Sequence, residues 1–252
     1  MKLPSKSTSF LISALTLAIA PAALSATVIP IDSFNPSTFF SGGITAGIDF
    51  DVDSNTSVAG NQFVTQSGFL SVPATTAKSY NVTHNGITFD IVTRNNNLAN
   101  QGRWRNNVNA GDLMNDFQQF YGNTAGSPVE ATLTLTGLTA NLDYQISFFT
   151  YNVGAGQTTH SFYEGTSSAA PFITTFTTSG NQNTYSTWKP GITFQINSGN
   201  DGEIAVTIQA TQATDNSSRL TLDGVSVVAI PEPSAAALLA LGGLAIIRRR
   251  RA

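Results

Sequence analysis

The sequence predicts an all-β antiparallel sandwich, and three observations lead to this prediction. Charged residues make up only 11% of the chain, too few to cover many surface helices, whereas Thr, Ser, Asn and Gly are abundant. Apolar and polar residues alternate with a period of two, which is typical of strands with one buried face. Because no internal repeat or long linker is evident, we expect one β-sandwich domain over residues 27–229.

Four segments carry the alternation most clearly. In each of them, polar residues separate three apolar residues that would share one face of a strand. We expect the following sets to point into the core: Ile87, Phe89 and Ile91; Ala131, Leu133 and Leu135; Ile192, Phe194 and Ile196; and Ile204, Val206 and Ile208.

Two further segments modify this regular pattern. Between the second set and the strand that follows it, Leu138 and Leu142 are predicted to close one end of the core. Near the C-terminus, apolar residues occupy even positions before Asp223 and odd positions after Gly224. This change of parity predicts a β-bulge at Asp223-Gly224.

One segment is predicted to be helical. In AGDLMNDFQQFYG, residues 110–122, Leu113, Phe117 and Phe120 or Tyr121 are three and four positions apart. That spacing places them on one face of a helix. We therefore expect one short helix that covers an edge or an end of the sandwich.

The N-terminus has the layout of a secretory signal peptide over residues 1–26. Lys2 and Lys6 precede an apolar run over 10–20, and small residues follow it. The triplets at 20–22 and 23–25 are candidate cleavage sites. An uncleaved anchor is the alternative, but the run is shorter than the roughly 20 residues that a stable membrane span needs.

The C-terminus combines a motif, an apolar stretch and a basic cluster. Pro231, Glu232 and Pro233 precede thirteen apolar or small residues at 235–247. As a helix this stretch is about 20 Å long, against roughly 30 Å of bilayer hydrocarbon, so we expect a short transmembrane helix of marginal stability. The positive-inside rule places the cluster that follows in the cytoplasm as a stop-transfer signal: Arg248, Arg249, Arg250 and Arg251.

These C-terminal features, joined to a signal peptide, resemble the PEP-CTERM sorting signal of exopolysaccharide-producing Gram-negative bacteria, here at residues 230–252. The resemblance implies export by the Sec machinery, a tethered intermediate at the inner membrane and cleavage near Pro231–Pro233 by an exosortase. It further implies delivery to the cell surface or extracellular matrix. A rigid spacer before an ordinary anchor is the alternative. More loosely, the closing strand resembles those of jelly-roll, galactose-binding-like domains that often precede this signal.

Charge argues against nucleic acid as a partner. Residues 27–230 contain six basic and fourteen acidic residues, a net charge of −8. Such a domain is repelled by phosphate backbones. We also expect no enzymatic activity, because His84 and His160 lie in polar contexts typical of surface histidines and no Gly-x-Ser-x-Gly elbow accompanies them.

No cofactor is predicted, although two weak calcium candidates exist. The aspartates of DFDVDSN, from Asp49 onward, alternate on one strand, but the segment lacks the Gly and Glu positions of an EF-hand loop. The simpler interpretation is that Phe50 and Val52 point inward and the aspartates face solvent. The second candidate pairs Asp32 with Asp223, because jelly-roll carbohydrate-binding domains often hold calcium where the first and last strands meet.

Aromatic residues provide the one ligand hypothesis. Trp104 lies in a polar loop between two arginines, and Tyr185 and Trp188 lie in another loop. Exposed rings of this kind stack on sugar faces, whereas the alternative is burial at the ends of the sandwich.

We therefore expect an exported surface protein associated with exopolysaccharide or biofilm. A carbohydrate-binding module is the alternative, followed by a carbohydrate-active hydrolase.

Overall fold

The fold was determined from a computed structural model of the chain. It describes the following residues: 26–29, 36–50, 56–58, 60–65, 79–93, 99–104, 116–121, 128–150, 158–177, 191–212 and 219–231. The apolar run of the predicted signal peptide and the apolar C-terminal helix lie outside these ranges, whereas Ala26, the last residue of the predicted signal peptide, begins the first strand. Within them, no helix is both long enough and apolar enough to cross a membrane.

Strands dominate the described residues, and a four-residue helix, α1 (Pro36–Phe39), follows the first strand. In chain order the strands are β1 (Ala26–Ile29), β2 (Ala46–Asp49), β3 (Thr56–Val58), β4 (Asn61–Thr65), β5 (Ser79–His84), β6 (Ile87–Thr93), β7 (Ala99–Trp104), β8 (Asp116–Tyr121), β9 (Val129–Thr136), β10 (Asp143–Phe149), β11 (Thr158–Glu164), β12 (Phe172–Thr177), β13 (Gly191–Asn197), β14 (Ile204–Gln212), β15 (Arg219–Leu222) and β16 (Gly224–Ile230).

The strands form three sheets. The first has seven strands in the order β1-β13-β10-β16-β2-β4-β3, and the second has six in the order β12-β11-β14-β9-β6-β5. A small third sheet has the order β15-β8-β7. Neighbouring strands are antiparallel except β2 and β4, which are parallel. The prediction of an all-β, mainly antiparallel fold is confirmed.

The core lies between the seven-stranded and six-stranded sheets. Phe148 and Phe194 of the first sheet contact Phe162 of the second, with ring centroids 5.2 and 5.8 Å apart. All four predicted inward-facing sets are buried in this core. Leu138 also belongs to it and Leu142 packs against it, which confirms that these leucines close one end. Period-two alternation therefore located the core correctly.

A second apolar cluster covers part of the outer face of the seven-stranded sheet. Phe148 faces the main core, and successive side chains of a strand alternate between its two faces. Phe149, opposite Gly224, therefore faces away from the main core. Phe39 and Phe40 contact its ring with centroids 6.0 and 5.9 Å apart, and Phe40 also contacts Phe63 at 5.5 Å. This sheet is consequently covered on both faces in this region.

The predicted helix over 110–122 is wrong where the structure describes it. Residues 116–121 form β8, which pairs with β7 on one side and β15 on the other. Aromatic residues such as Phe117, Phe120 and Tyr121 are common in strands. Their spacing of three and four fits one face of a helix but does not exclude an extended chain. Neighbouring strands on both sides supply the backbone partners that decide between the two structures.

The parity change near the C-terminus corresponds to a change of sheet. β15 belongs to the small third sheet, whereas β16 lies between β10 and β2 in the seven-stranded sheet. Asp223 is the single residue between them. Leu220 and Leu222 before it and Val225 and Val227 after it are all buried, so both parities lead into the core.

Candidate functional site

An exposed aromatic pair lies on β11 and β12, at the edge of the six-stranded sheet. Phe172 is 56% exposed, and among the residues whose side chains the structure describes it is the one large hydrophobic residue that is so exposed. Its ring meets the half-buried ring of Tyr163 edge to face, with centroids 5.7 Å apart and an interplanar angle of 69°. Aromatic rings supply much of the contact energy of binding surfaces, so this pair is a candidate for one.

Strand pairing explains why both rings face outward. Along β11, His160 and Phe162 point into the core, so Ser161 and Tyr163 point out. The pairing with β12 shifts between Phe162 and Tyr163, and the shift brings Phe172 opposite Tyr163. Such a bulge changes which side chains the edge strand presents. The bulge therefore places the second ring beside the first.

The connection between β11 and β12, residues 165–171, folds back over the outer face of the same sheet. Its Gly165 carbonyl accepts a hydrogen bond of 2.8 Å from the Thr207 hydroxyl, and the Gly165 amide donates to the Ala205 carbonyl at 2.8 Å. Gly165 has φ +129°, a conformation that favours glycine. The connection is thus fixed to β14, and it buries Thr207 although that residue faces outward.

The same connection contributes to a polar cluster around Glu130 on β9. The Ser168 hydroxyl donates a hydrogen bond to Glu130 Oε1. Gln209 Nε2 on β14 donates to the same oxygen at 2.8 Å. All three side chains are partly accessible to solvent. The cluster consists of a carboxylate, an amide and a hydroxyl in fixed positions.

The aromatic pair and the polar cluster lie on one face. Tyr163 is opposite Thr207, which is opposite Thr132, two residues beyond Glu130 on β9. From strand spacing and rise, Tyr163 and Glu130 are about 12 Å apart between their Cα atoms. We call the five residues the β11–β12 patch: Glu130, Tyr163, Ser168, Phe172 and Gln209. It offers stacking at one end and hydrogen bonding at the other.

Of the three aromatic residues predicted to bind sugar, the structure describes only the backbone of Trp104. Trp104 is the last residue of β7, opposite Asp116 of β8, so it ends a strand and does not lie in a loop. Tyr185 and Trp188 lie outside the described residues. The sugar-binding role of these three residues stays a prediction.

The structure describes one member of the second calcium pair. Asp223 is fully buried, its amide donates to the Phe149 carbonyl at 2.9 Å, and its carbonyl accepts from the Phe50 amide at 3.0 Å. Asp32 lies outside the described residues. Across the ranges that the structure covers, no three His, Cys, Asp or Glu residues group together as metal ligands.

Asp49 does not face solvent, and that part of the prediction is wrong. Phe50 is buried in the core as expected, but Asp49 is fully buried too. Asp49 and Phe149 flank Gly224 in one cross-strand row and therefore share the outer face of the sheet. The cluster around Phe149 covers this face, which alternation within one strand cannot reveal.

The two histidines differ from the expected surface positions. Nδ1 of the partly buried His84 lies 3.0 Å from both the amide nitrogen and the carbonyl oxygen of Gly47, linking β5 to β2. His160 is fully buried, and its ring stacks on Phe176 with centroids 6.2 Å apart. Burial lowers the pKa of His160 to about 4, although the Phe176 backbone opposes part of this shift. His160 is therefore a neutral core residue at pH 7.

Comparison with known proteins identifies no family to which the chain belongs. No family model matches the chain, and no curated protein matches it. Among solved structures, the bacteriophage CBA120 tailspike protein 4 enzymatically active domain is 12% identical over 57% of this chain and 19% of its own, with a TM-score of 0.36.

Two other similar structures are complexes with oligosaccharides. The CBM22-1 and GH10 modules of Clostridium thermocellum endo-1,4-β-D-xylanase 10B, complexed with xylohexaose, are 13% identical over 62% of this chain and 28% of theirs, with a TM-score of 0.37. TmCBM61 in complex with β-1,4-galactotriose is 10% identical over 56% of this chain and 88% of its own, with a TM-score of 0.32. All three TM-scores are below 0.5, so the similarity assigns no function to this chain.

Sequence reasoning missed the β11–β12 patch, although one signal was available. Phe162 and Tyr163 are adjacent, so in a strand one of the two rings must face outward. The position of Phe172 depends on the bulge opposite Tyr163, and the approach of Ser168 to Glu130 links residues 38 positions apart. Neither contact has a local sequence signature.

Proposed function

We propose that the sandwich is a non-catalytic carbohydrate-binding domain of an exported surface protein, and that the β11–β12 patch is its binding surface. The observation that carries this proposal is the exposure of Phe172 against Tyr163. A ring that is 56% exposed leaves apolar area in water, which a ligand with an apolar face would cover.

Stacking supplies the first part of recognition. The C–H face of a pyranose is apolar, so it packs against an aromatic ring as another apolar group would. Phe172 provides the accessible ring, and Tyr163 restricts its rotation through the edge-to-face contact of 5.7 Å. Because the ring is already held in place, little conformational entropy is lost when a sugar binds.

Hydrogen bonding supplies the second part. Glu130 Oε1 is held by Ser168 and Gln209, which fixes the direction of the carboxylate. Charged acceptors bond sugar hydroxyls more strongly than neutral ones do. The Cα atoms of Tyr163 and Glu130 are about 12 Å apart, and Phe172 lies one strand farther from Glu130, so the patch fits a chain of two or three sugar units better than a monosaccharide. The proposed ligand is therefore a polysaccharide.

Binding without hydrolysis is proposed because Glu130 is engaged as a fixed recognition group. Glycoside hydrolysis generally needs a pair of carboxylates on either side of the scissile bond. Reducing-end release from the same polysaccharides is measured beside binding, and release that disappears in Glu130→Gln would favour the hydrolase alternative.

Phe172→Ala tests the proposal. We expect it to weaken retention of the full chain by about tenfold, equivalent to about 1.4 kcal/mol, on whichever polysaccharide retains the wild type, because the stacking surface is lost. Affinity electrophoresis against xylan, β-1,4-galactan, β-1,3-glucan and bacterial exopolysaccharide measures this. Thr175→Ala, an exposed change on the same strand, is the matched control and should bind like the wild type.

Stability separates the binding role from a structural one. Because Phe172 is largely exposed, Phe172→Ala should change the free energy of unfolding by no more than about 0.5 kcal/mol. A large loss of stability would identify the ring as part of the packing, and equal retention by Phe172→Ala and the wild type would refute the patch.

Delivery to the surface forms the second part of the proposal. The signal peptide over 1–26 and the sorting signal over 230–252 would export the domain, tether it to the inner membrane and present Pro231, Glu232 and Pro233 to an exosortase. We also propose that the strands of the sandwich have the arrangement of a jelly-roll, galactose-binding-like domain. A polysaccharide-binding domain released into an extracellular matrix would stay there through its ligand.

A further inference from the structure

Both ends of the sandwich domain leave the seven-stranded sheet on the same side. In β10, Asp143 lies opposite Ile230, the last residue of β16, and on its other side opposite Asn197 of β13. β1 is antiparallel to β13, with Ala26 opposite Phe194 and Ile29 opposite Gly191. The N-terminal end of β1 therefore points toward the end of the sheet where β16 stops.

The two exits are also close together. β13 and β10 separate β1 from β16, which makes three spacings between neighbouring strands, or about 14 Å across the sheet, and Ala26 lies level with Phe194, three residues or about 10 Å along the strand from the level of Ile230. One bilayer surface can thus receive both the segment before Ala26 and the segment after Ile230 without any rearrangement of the sheet. Strands that ended on opposite sides of the sandwich would not permit this.

Two turns form a rigid end face beside these exits. We call turns 137–142 and 198–203 the base. The Leu138 amide donates to the Gly202 carbonyl at 3.2 Å, and the Asn141 amide donates to the Gly199 carbonyl at 2.6 Å. The Ser198 hydroxyl donates to the Thr139 carbonyl at 2.6 Å. These bonds join the two turns, so the base moves as one unit.

The connection from the base to the sorting motif is short. Ile230 is still paired in the sheet, and Pro231 follows it directly. β16 pairs with β2 over Gly224–Val227 and with β10 along its whole length to Ile230. Cleavage that keeps this pairing complete must therefore occur after Ile230, within a few residues of the base.

We infer that the base faces the membrane while the C-terminal tail is inserted, so that the sandwich stands on the bilayer and is cleaved at its own end face. This inference depends on the sorting part of the proposed function. The exposed acidic residues Asp201 and Glu203 of the base are not attracted to anionic lipid, so the tail alone holds the domain there. Cleavage then releases it.

Site-directed labelling tests the orientation. The chain has no cysteine, so a single introduced cysteine carries the label. Asn200→Cys is exposed on the base, and Thr177→Cys is exposed at the other end of the sandwich. Thr177 lies opposite Thr159, which lies opposite Thr211 of β14. Thr211 is about 25 Å along the strand from Glu203 of the base, so the two labels report on opposite ends.

Each full-length variant carries a bimane label and is reconstituted in phosphatidylcholine vesicles with or without nitroxide-labelled headgroups. We expect quenching at position 200 to exceed quenching at position 177 by about threefold or more, since the headgroups would lie beside the base and only the first label would be within a few ångströms of them.

Insertion of six Gly and Ser residues between Ile230 and Pro231 is the matched control. A flexible linker removes the constraint, so the difference between the two labels should become small. Equal quenching at both positions of the original chain would overturn the inference, as would a difference that the linker leaves unchanged.

Vesicle flotation separates failure of the inference from failure of the proposed function. Full chain that floats with the vesicles but shows equal quenching contradicts the orientation alone. A chain that does not float contradicts insertion of the tail, and the orientation is then refuted together with the sorting proposal.

Discussion

His160 occupies a core position of the kind that apolar residues usually fill. It lies opposite Phe176 on one neighbouring strand and Ala210 on the other, both buried. Within the described residues no hydrogen bond of normal geometry reaches either of its ring nitrogens, and the interaction with the Phe176 backbone offsets only part of the effect of burial. Protonation would place an unpaired charge in the core, which is the reason why burial lowers its pKa to about 4.

Acid should therefore destabilise the sandwich through this residue. The unfolded imidazole binds a proton below pH 6.5, whereas the folded one does so only near pH 4, so protons favour the unfolded state between these values. The cost reaches about 3 kcal/mol by pH 4. His160→Leu should remove this component and keep or raise stability at neutral pH, because it eliminates two unpaired polar atoms.

Urea unfolding of the wild type and His160→Leu, at pH values of about 4, 5.5 and 7.5, measures the effect. Buried carboxylates also titrate at low pH, and comparison of the two proteins cancels their contribution. Parallel pH profiles for the two proteins would mean that His160 is accessible to solvent.

Among the strands, β13 depends on a glycine for close pairing. Gly191 lies opposite Phe149 of β10 and Ile29 of β1. A Cβ at this position would collide with the Phe148 carbonyl oxygen, which belongs to the backbone and has little freedom to move. The absence of a side chain lets β10 and β13 approach at this end of the sheet.

Gly191→Ala should destabilise the fold by about 2–3 kcal/mol, because backbone must shift in a paired strand. The gain from a less flexible unfolded chain is smaller, at about 0.4–1 kcal/mol. Gly42→Ala is the matched control, since nothing lies within 4 Å of a Cβ there. Urea unfolding of the two variants should separate them clearly, and similar midpoints would contradict the close approach.

Element type was predictable where one strand face is buried and the other is exposed to solvent. The four alternating segments meet this condition over most of their length, although Thr132 and Thr207 are buried on the outer face, and all four are strands with the expected faces inward. It fails for β8, where aromatic spacing suggested a helix, and for Asp49, which lies on a covered outer face. In both places, contacts with distant segments override the local pattern.

At the scale of the whole molecule, the two ends are predicted to be removed during sorting. Mass spectrometry of protein from the cell surface should find a chain that begins at Ala23 or Ala26 and ends just after Ile230. Either N-terminus leaves β1 complete, and that C-terminus leaves β16 complete, so the cleaved product keeps its sheet.

An intact tail in the surface fraction, with Arg248 to Arg251 present, would contradict processing. Substitution of Pro231 and Pro233 by alanine is the informative variant, because it restores backbone freedom and donors at the motif. It should accumulate the uncleaved chain in the membrane fraction, whereas substitution of the exposed Thr177 should not.

The sequence by itself determined the all-β class, the inward-facing residues of the main strands and the parity change at Asp223, because these follow from the two-residue period of a strand. It also carried the predicted export and sorting signals, which are linear motifs. Only the tertiary structure decided which strands are neighbours, and thereby the bulge that turns Phe172 toward solvent, the approach of Ser168 to Glu130 and the common side of the two chain exits. Strand order and register depend on contacts between distant residues, and no local pattern encodes them.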